Sequence, residues 1–152
     1  MANTIKGRTG GSGAYGLRAL ALMLGLFFLF NGLDKIAWFA DSGILAARLQ
    51  GWLQTAPPST RWYIETVAAP GVPLFARLVP LAELSTGVAL IVGFWTRLAA
   101  TLALFMVLNF HFARGFIFDR EFLMDGTGFP VLGGLLVLAL GKWTLPLSVS
   151  KP

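Results

Sequence analysis

Residues 81–94 read LAELSTGVALIVGF, an apolar stretch that carries a single charged side chain, Glu83. This stretch ends a longer run, residues 74–94, in which Arg77 is the only other charged residue. About 20 predominantly apolar residues are enough for an α-helix to cross a bilayer. The run therefore predicts a membrane-spanning helix, and it places the Glu83 carboxylate close to the middle of that helix.

The composition of the whole chain also indicates a membrane protein. Of its 152 residues, 56% are hydrophobic and 12% are charged, whereas soluble domains carry about 25% charged residues. The chain has no cysteine, which excludes disulfides, thiol catalysis and cysteine-ligated metals. The formal charge of +5 comes from basic residues that are scattered between apolar runs. We therefore expect no nucleic-acid partner.

Three further apolar runs predict that the second span belongs to a bundle of four. They cover residues 15–36, 96–114 and 129–145. The turn at residues 93–97 is short enough to make spans two and three a tight antiparallel hairpin. We expect an all-α membrane protein with three parts: a flexible tail at residues 1–14, a four-helix transmembrane domain at residues 15–146 and a short tail at residues 147–152.

The segment between spans one and two, residues 37–73, contains no predicted span. A short helix is indicated by apolar residues at helical spacing, namely Ile44, Leu45, Leu49, Trp52 and Leu53. A second short helix is expected over residues 60–69, before the prolines at positions 70 and 73. We expect both helices to be interfacial, lying on the membrane surface or capping the bundle.

Four spans place both termini on one side of the membrane. That side carries six basic residues and no acid, namely Lys6, Arg8, Arg18, Arg97, Lys142 and Lys151. The other side also carries six basic residues, but together with six acids, so a count of Lys and Arg alone gives a tie. Basic residues in short segments near span ends favour the cytoplasmic side. We therefore expect a multi-pass protein of the prokaryotic cytoplasmic membrane, with both termini cytoplasmic and the longer loops facing outward.

Apart from Arg18 and Arg97, which lie near the inner end, the unusual polar residues of the predicted spans lie between the membrane midplane and its outer surface. An ionisable residue at such depth is costly and is by default a functional hypothesis. We predict one pocket between spans one, two and three, in which Glu83 and His111 carry protons. The residues expected to bind a quinone or substrate there are Asn31, Lys35, Arg77 and Asn109.

Each of these residues also has a structural interpretation. Lys35 is placed to extend its ammonium group toward the interface, and asparagines hydrogen-bond between membrane helices. Glu83 has Arg77 and Lys35 as candidate partners for a structural ion pair. His111 is the only histidine, and without cysteine a dedicated transition-metal site is not expected.

Two motifs resemble those of the DoxX/DoxD family of small four-helix membrane proteins. Residues 30–36, FNGLDKI, are similar to the family's Phe-x-Gly-x-x-Lys-hydrophobic end of span one. Residues 83–100, ELSTGVALIVGFWTRLAA, are similar to its Glu-x-x-x-Gly span followed by Gly-x-x-Thr-Arg-x-Ala-Ala. The resemblance covers about residues 15–145. It marks Lys35, Glu83 and Arg97 as family positions, and for Arg97 we expect a structural role.

The resemblance implies a membrane-bound oxidoreductase component. DoxD-like members are similar to a subunit of thiosulfate:quinone oxidoreductase, which works with a second subunit. We accordingly expect a subunit that passes electrons from an outer-face donor, such as thiosulfate, to membrane quinone. We expect contacts with lipid and with other subunits or further copies, and no haem, flavin or metal motif is visible. The alternative is a non-catalytic accessory subunit of a larger complex; a small transporter is a third class.

Overall fold

The computed structural model describes residues 10–115, 117, 119–141 and 145–149, and these residues form helices and loops without any strand. The predicted all-α class is confirmed. The α-helices are α1 (Gly10–Asp34), α2 (Gly43–Leu53), α3 (Pro58–Tyr63), α4 (Val72–Val92), α5 (Thr96–Ala113), α6 (Arg120–Met124) and α7 (Phe129–Leu140). A 3-10 helix, Ile36–Phe39, follows α1, and a π-helical turn, Ile64–Ala68, continues α3.

Three of the described helices are long and apolar enough to cross a membrane: Gly13–Asp34, Val72–Val92 and Thr96–Ala113. Helix α7 has 12 residues and is about 18 Å long, short of the roughly 30 Å hydrocarbon core. The predicted span continues to residue 145, but Gly141 is extended and ends the helix, and residues 142–144, with Lys142 and Trp143, lie outside the described residues. The fourth span therefore stays a prediction.

The predicted tails are only partly within the described residues. Helix α1 begins at Gly10, five residues before the start expected for span one, so the second part of the predicted flexible tail is helical. Residues 1–9 and 150–152 lie outside the description. Residues 147–149 form turn and bend structure after α7.

Helices α1 and α4 pack with their backbones close together. A Cβ atom on Gly87 would lie 2.7 Å from the backbone N of Leu29 and 2.9 Å from the carbonyl O of Gly25. Only glycine fits such a contact, since neither backbone atom is free to move aside. Gly25 and Gly32 of α1 lie on the same contact, since Cβ atoms there would meet Ile91 and Leu84 of α4.

The α4–α5 hairpin has the tight turn that the sequence predicts. Gly93 ends α4 in the left-handed conformation at φ 71°, which is the usual helix termination by glycine. Helix α5 begins three residues later at Thr96. The Nε of Arg97 donates a hydrogen bond to the carbonyl O of Ala139 on α7, at 3.3 Å.

Two hydrophobic cores hold the molecule together. The larger lies between α1, α4, α5 and α7 and includes Phe28, Leu90, Val107 and Leu135. The second joins the start of α4 to the 3-10 helix, α2 and the π-helical turn; its buried residues are Trp38, Leu45, Leu49, Ile64, Ala68, Val72 and Ala76. Both short helices of the predicted outer loop are thus present, and their position on a membrane surface stays a prediction.

The two cores result from a stagger between α1 and α4. Lys35, the residue after α1, contacts Glu83, which is the twelfth of the 21 residues in α4. The first half of α4 therefore extends beyond the end of α1, where the short helices cover it. The junction between the two cores is the place where the functional candidates meet.

Candidate functional site

A buried ion pair joins α4 to the end of α1. The Nζ of Lys35 donates a hydrogen bond to Oε1 of Glu83 at 2.9 Å. Oε2 of Glu83 lies 2.8 Å from the same nitrogen but has no hydrogen-bond partner among the described residues. Lys35 and Glu83 are 6% and 4% exposed. Of the two partners that the sequence offers to Glu83, the structure selects Lys35.

The end of α1 places Lys35 in this position. Its Nζ also donates to the carbonyl O of Asn31, one helical turn earlier, at 3.0 Å. It lies 5.9 Å from the ring centroid of Trp38 and 5.8 Å from that of Phe110. Aromatic faces attract cations most strongly where water is excluded. The ammonium group is therefore held by one carboxylate, one carbonyl and two rings.

The ion pair faces a cavity of about 400 Å³. This volume falls within the range of roughly 300–1,000 Å³ that is typical of ligand sites. The cavity opens between α1, α2, α4 and α5, with the loop before α7 at its edge. Its lining residues are Phe27, Phe28, Asn31, Lys35, Arg48, Trp52, Glu83, Val107, Phe110, His111, Arg114 and Thr127.

The side chain of Asn31 is already engaged within its own helix. Its Nδ2 donates a hydrogen bond to the carbonyl O of Phe27 at 2.8 Å. A bond of this kind fixes the amide against the helix and occupies one of its donors. Asn31 lines the cavity as predicted, but it shapes the wall more than it offers a free donor.

His111 lies at the other side of the cavity, at the end of α5. Its Nδ1 is 2.8 Å from the carbonyl O of Val107, and because a carbonyl only accepts, Nδ1 carries a proton. Nε2 forms no hydrogen bond among the described residues and lies 3.6 Å from Oδ2 of Asp125. The imidazole thus has a fixed tautomer, with Nε2 available to accept a proton.

Asp125 fixes the loop between α6 and α7 against α5. Its Oδ2 accepts a hydrogen bond from Nη1 of Arg114 at 3.2 Å. The backbone N–H of Thr127 donates to Oδ1 at 2.9 Å. This N–H, then the Thr127 hydroxyl and the charges of Arg114 and His111, hold the pKa of Asp125 below its ordinary value, although partial burial opposes them. The carboxylate is therefore ionised at neutral pH.

Two residues that were predicted to line the pocket, Arg77 and Asn109, lie outside the cavity lining. Arg77 is exposed and donates to the carbonyl O of Pro73 on its own helix. Asn109 is exposed and accepts a hydrogen bond from the Tyr63 hydroxyl at 2.7 Å. At 100° per residue, Arg77 lies about 120° around the helix from Glu83, and Asn109 about 160° from His111. A common depth in the membrane does not imply a common face.

Sequence reasoning missed Arg48 and Trp52, which reach the cavity from α2. The guanidinium carbon of Arg48 lies 5.2 Å from the ring centroid of Trp38. Both residues belong to the short helix between spans one and two. A polar residue there is ordinary, because the segment lies outside the predicted spans. The signal that was present is their spacing of four residues, which places both on one face of α2.

Fold and site together define a helical membrane protein with a buried ion pair beside an aromatic-lined cavity. The DoxX family model matches residues 16–114. The chain belongs to the DoxX family, and the matched segment contains every cavity-lining residue except Thr127. Comparison with curated proteins and with solved structures finds no match. Among the described residues, no group of three or more His, Asp or Glu is arranged to hold a metal ion.

Proposed function

We propose that this DoxX-family protein is the quinone-binding membrane subunit of an oxidoreductase. The observation that carries the proposal is the cavity itself, in which a buried Lys35–Glu83 pair faces aromatic walls. A structural ion pair is usually enclosed by packing, and a ligand site combines apolar walls with a few convergent polar groups. The DoxD-like motifs at residues 30–36 and 83–100 support the same class of protein.

The cavity walls suit a flat apolar ring. Phe27, Phe28, Trp52 and Phe110 line it, and aromatic rings favour stacked or edge-to-face contacts with another ring. The charged side chains lie among these rings, where the oxygen atoms of a quinone need polar partners. When bound, a quinone accepts two electrons and two protons to become a quinol.

Glu83 and His111 are the proton carriers in this proposal. Nε2 of His111 is buried, and Asp125 at 3.6 Å stabilises the ring when it takes a proton. The Glu83 carboxyl and Nε2 of His111 each take up one proton from water and deliver it to the reduced ring, which accounts for the two protons of the quinol. Lys35 and Asn31 orient these groups, and Arg97, bound to Ala139, has a structural role.

The electrons come from an outer-face donor in this proposal, with a sulfur compound such as thiosulfate as the first candidate. The resemblance to the thiosulfate:quinone oxidoreductase subunit supports that donor, and it implies a second subunit that handles the donor. In this proposal the chain resides in the prokaryotic cytoplasmic membrane, with α7 in its fourth span and both termini cytoplasmic.

The orientation is tested with single cysteines, because the chain has none of its own. Cysteine at Gln54, in the predicted outer loop, reacts with a membrane-impermeant thiol reagent in intact spheroplasts. Cysteine at Ser12 reacts only after the membrane is permeabilised. The reverse labelling pattern would show that the termini face outward.

Quinone binding is tested by titrating menadione, a neutral naphthoquinone, into the protein in lipid nanodiscs. Phe110→Ala removes a cavity wall, and we expect an affinity loss of about tenfold, since an aromatic contact is worth about 0.5–1.5 kcal/mol beyond its buried area. Phe105→Ala is the matched control, because Phe105 lies on the same helix but is 65% exposed. Equal binding by both variants and the wild type would show that the quinone site is not in this cavity.

The second candidate function is a non-catalytic accessory subunit. It is favoured by the close contact of Lys35 with Glu83, which neutralises both charges without a ligand. Purification in mild detergent separates the two candidates. The quinone proposal expects a co-purifying quinone together with a redox subunit, and the accessory function expects partner chains without bound quinone.

A further inference from the structure

The charges around the cavity do not cancel. Lys35 is paired with Glu83, and Arg114 is paired with Asp125. Arg48 is the third cation in the lining. Within the described part of the chain, Arg48 has no hydrogen bond and no ion pair; its guanidinium carbon lies near the ring of Trp38, and its charge also acts on Glu83 without direct contact. The cavity therefore presents one uncompensated positive charge when His111 is neutral.

The position of Arg48 leaves its donors available to a ligand. The contact between the Arg48 guanidinium and the Trp38 ring uses none of the guanidinium N–H groups as hydrogen-bond donors to another residue, so they can serve a ligand. Trp38 is 2% exposed and provides a fixed support. Arg48 itself is exposed and lines the cavity, so a ligand reaches it without any rearrangement of the core.

The other cations of the cavity already have carboxylate partners, and two of its neutral donors are in use. Lys35 donates to Asn31 and Glu83, and Asn31 donates to Phe27. The hydroxyl of Thr127 donates to Asp125 at 2.8 Å, and Nη1 of Arg114 donates to the same carboxylate. An ionised oxygen atom on a bound ring therefore finds its countercharge in Arg48, the one lining cation without a carboxylate within salt-bridge distance among the described residues.

We infer that Arg48 is a specificity-determining residue and that the cavity prefers an aromatic ligand with an ionised oxygen, in the chemical class of acidic hydroxyquinones. This inference rests on the proposed quinone site. A hydrogen bond to a charged group contributes about 1.5–3 kcal/mol, and each 1.4 kcal/mol is a factor of ten in affinity. We therefore expect the anion to bind at least tenfold more tightly than a neutral ring of the same shape.

The test uses two compounds that differ in one ionisable group. 2-Hydroxy-1,4-naphthoquinone is an anion at pH 7, and 2-methoxy-1,4-naphthoquinone is its neutral counterpart. Both are titrated calorimetrically into wild-type protein, Arg48→Gln, Arg48→Lys and the control Arg61→Gln in nanodiscs of zwitterionic lipid. Arg61 is an exposed arginine on α3 outside the cavity lining. The partition of each compound into protein-free nanodiscs is measured and subtracted, so that the affinities of the two compounds can be compared directly.

The wild type should bind the hydroxy compound at least tenfold more tightly, and Arg48→Gln should remove that preference while keeping the affinity for the methoxy compound. Arg48→Lys should retain part of the preference, and Arg61→Gln all of it. Equal affinity of the two compounds for the wild type, or a preference that survives in Arg48→Gln, overturns the inference and leaves the quinone proposal intact. Failure of both compounds to bind overturns the proposed function as well.

Discussion

One buried cation, Arg18, lies in α1 and another, Lys35, directly follows it, and the two contact α4 in different ways. Near the start of α1, Arg18 is 7% exposed and donates from Nη1 to the carbonyl O of Leu90 at 3.0 Å and from Nη2 to that of Ile91. After its end, Lys35 is paired with Glu83 and faces the cavity. Both residues hold α1 against α4.

The difference lies in what each cation stabilises. The carbonyls that Arg18 contacts belong to the last turn of α4, where the helix dipole favours a positive charge. That contact needs no second ionisable group. The Lys35–Glu83 contact buries two charges, whose desolvation often costs more than their attraction returns. A buried pair beside a cavity therefore indicates function, whereas a buried arginine at a helix end indicates architecture.

Removal of one partner of the ion pair should have the largest effect on stability. Glu83→Gln leaves the Lys35 ammonium buried without a countercharge, and we expect a loss of about 3–5 kcal/mol. The free energy of unfolding is measured by SDS titration in mixed micelles. Arg77→Gln is the control on the same helix, because Arg77 is exposed, and it should change stability by less than about 0.5 kcal/mol. A Glu83→Gln protein with the wild-type free energy of unfolding would show that the Lys35–Glu83 pair contributes no more to stability than an exposed ion pair does.

Loss of Arg18 should destabilise less and should leave the cavity intact. Arg18→Met keeps an unbranched side chain but removes the donors to α4, and we expect a loss of roughly 1.5–3 kcal/mol. Menadione affinity should stay within twofold of the wild-type value, measured under conditions where the variant is folded. A large loss of affinity would show that the two ends of α1 are coupled.

The glycine contact between the two cations sets the register of α1 on α4. Gly87→Ala introduces a Cβ atom 2.7 Å from the backbone of Leu29, and we expect a loss of about 1–3 kcal/mol. Gly16→Ala is the matched control in α1, because its Cβ meets no atom within 4 Å. There the better helix propensity of alanine should leave stability unchanged or raise it slightly. Equal effects at both positions would contradict the close approach.

The smallest effect is expected at Asp125, outside the spans. Asp125→Asn should cost about 1 kcal/mol at pH 7, because it weakens the contacts to Thr127 and Arg114. The pKa of Asp125 is lowered in the folded state, so its contribution is present above the ordinary value of 3.8 and is lost as the pH falls through the folded pKa. The wild type and the variant should therefore converge in stability only below about pH 4. Convergence at higher pH would contradict the lowered pKa.

Much of the fold could be predicted from the sequence, because apolar length and turn chemistry are local. The second span and the turn at Gly93 follow from such signals. Span three begins at Thr96 both in the prediction and in the structure. The stagger between α1 and α4 could not be predicted, since it depends on the contact of Gly87 with the backbone of α1. The same holds for the second core that the stagger creates.

The site was half predictable for a related reason. The charge of Glu83 and its depth in the predicted span identify it as a site residue, and the family motif at residues 30–36 identifies Lys35 as another. Depth alone also drew in Arg77 and Asn109, whose helix faces point away from the cavity. Arg48 lay beyond prediction, because its role depends on Trp38 and on the placement of α2 over the end of α1.

The most direct measurement of the central claim is quinone binding by the double variant Lys35→Met/Glu83→Leu. Apolar residues of similar size often replace a buried ion pair with little loss of stability or with a gain. We expect a folded protein, within about 2 kcal/mol of the wild type, whose affinity for 2-hydroxy-1,4-naphthoquinone is at least tenfold weaker, since the polar wall that orients the ligand is gone. A stable double variant with unchanged affinity would contradict the account and would make Lys35–Glu83 an architectural contact like that of Arg18.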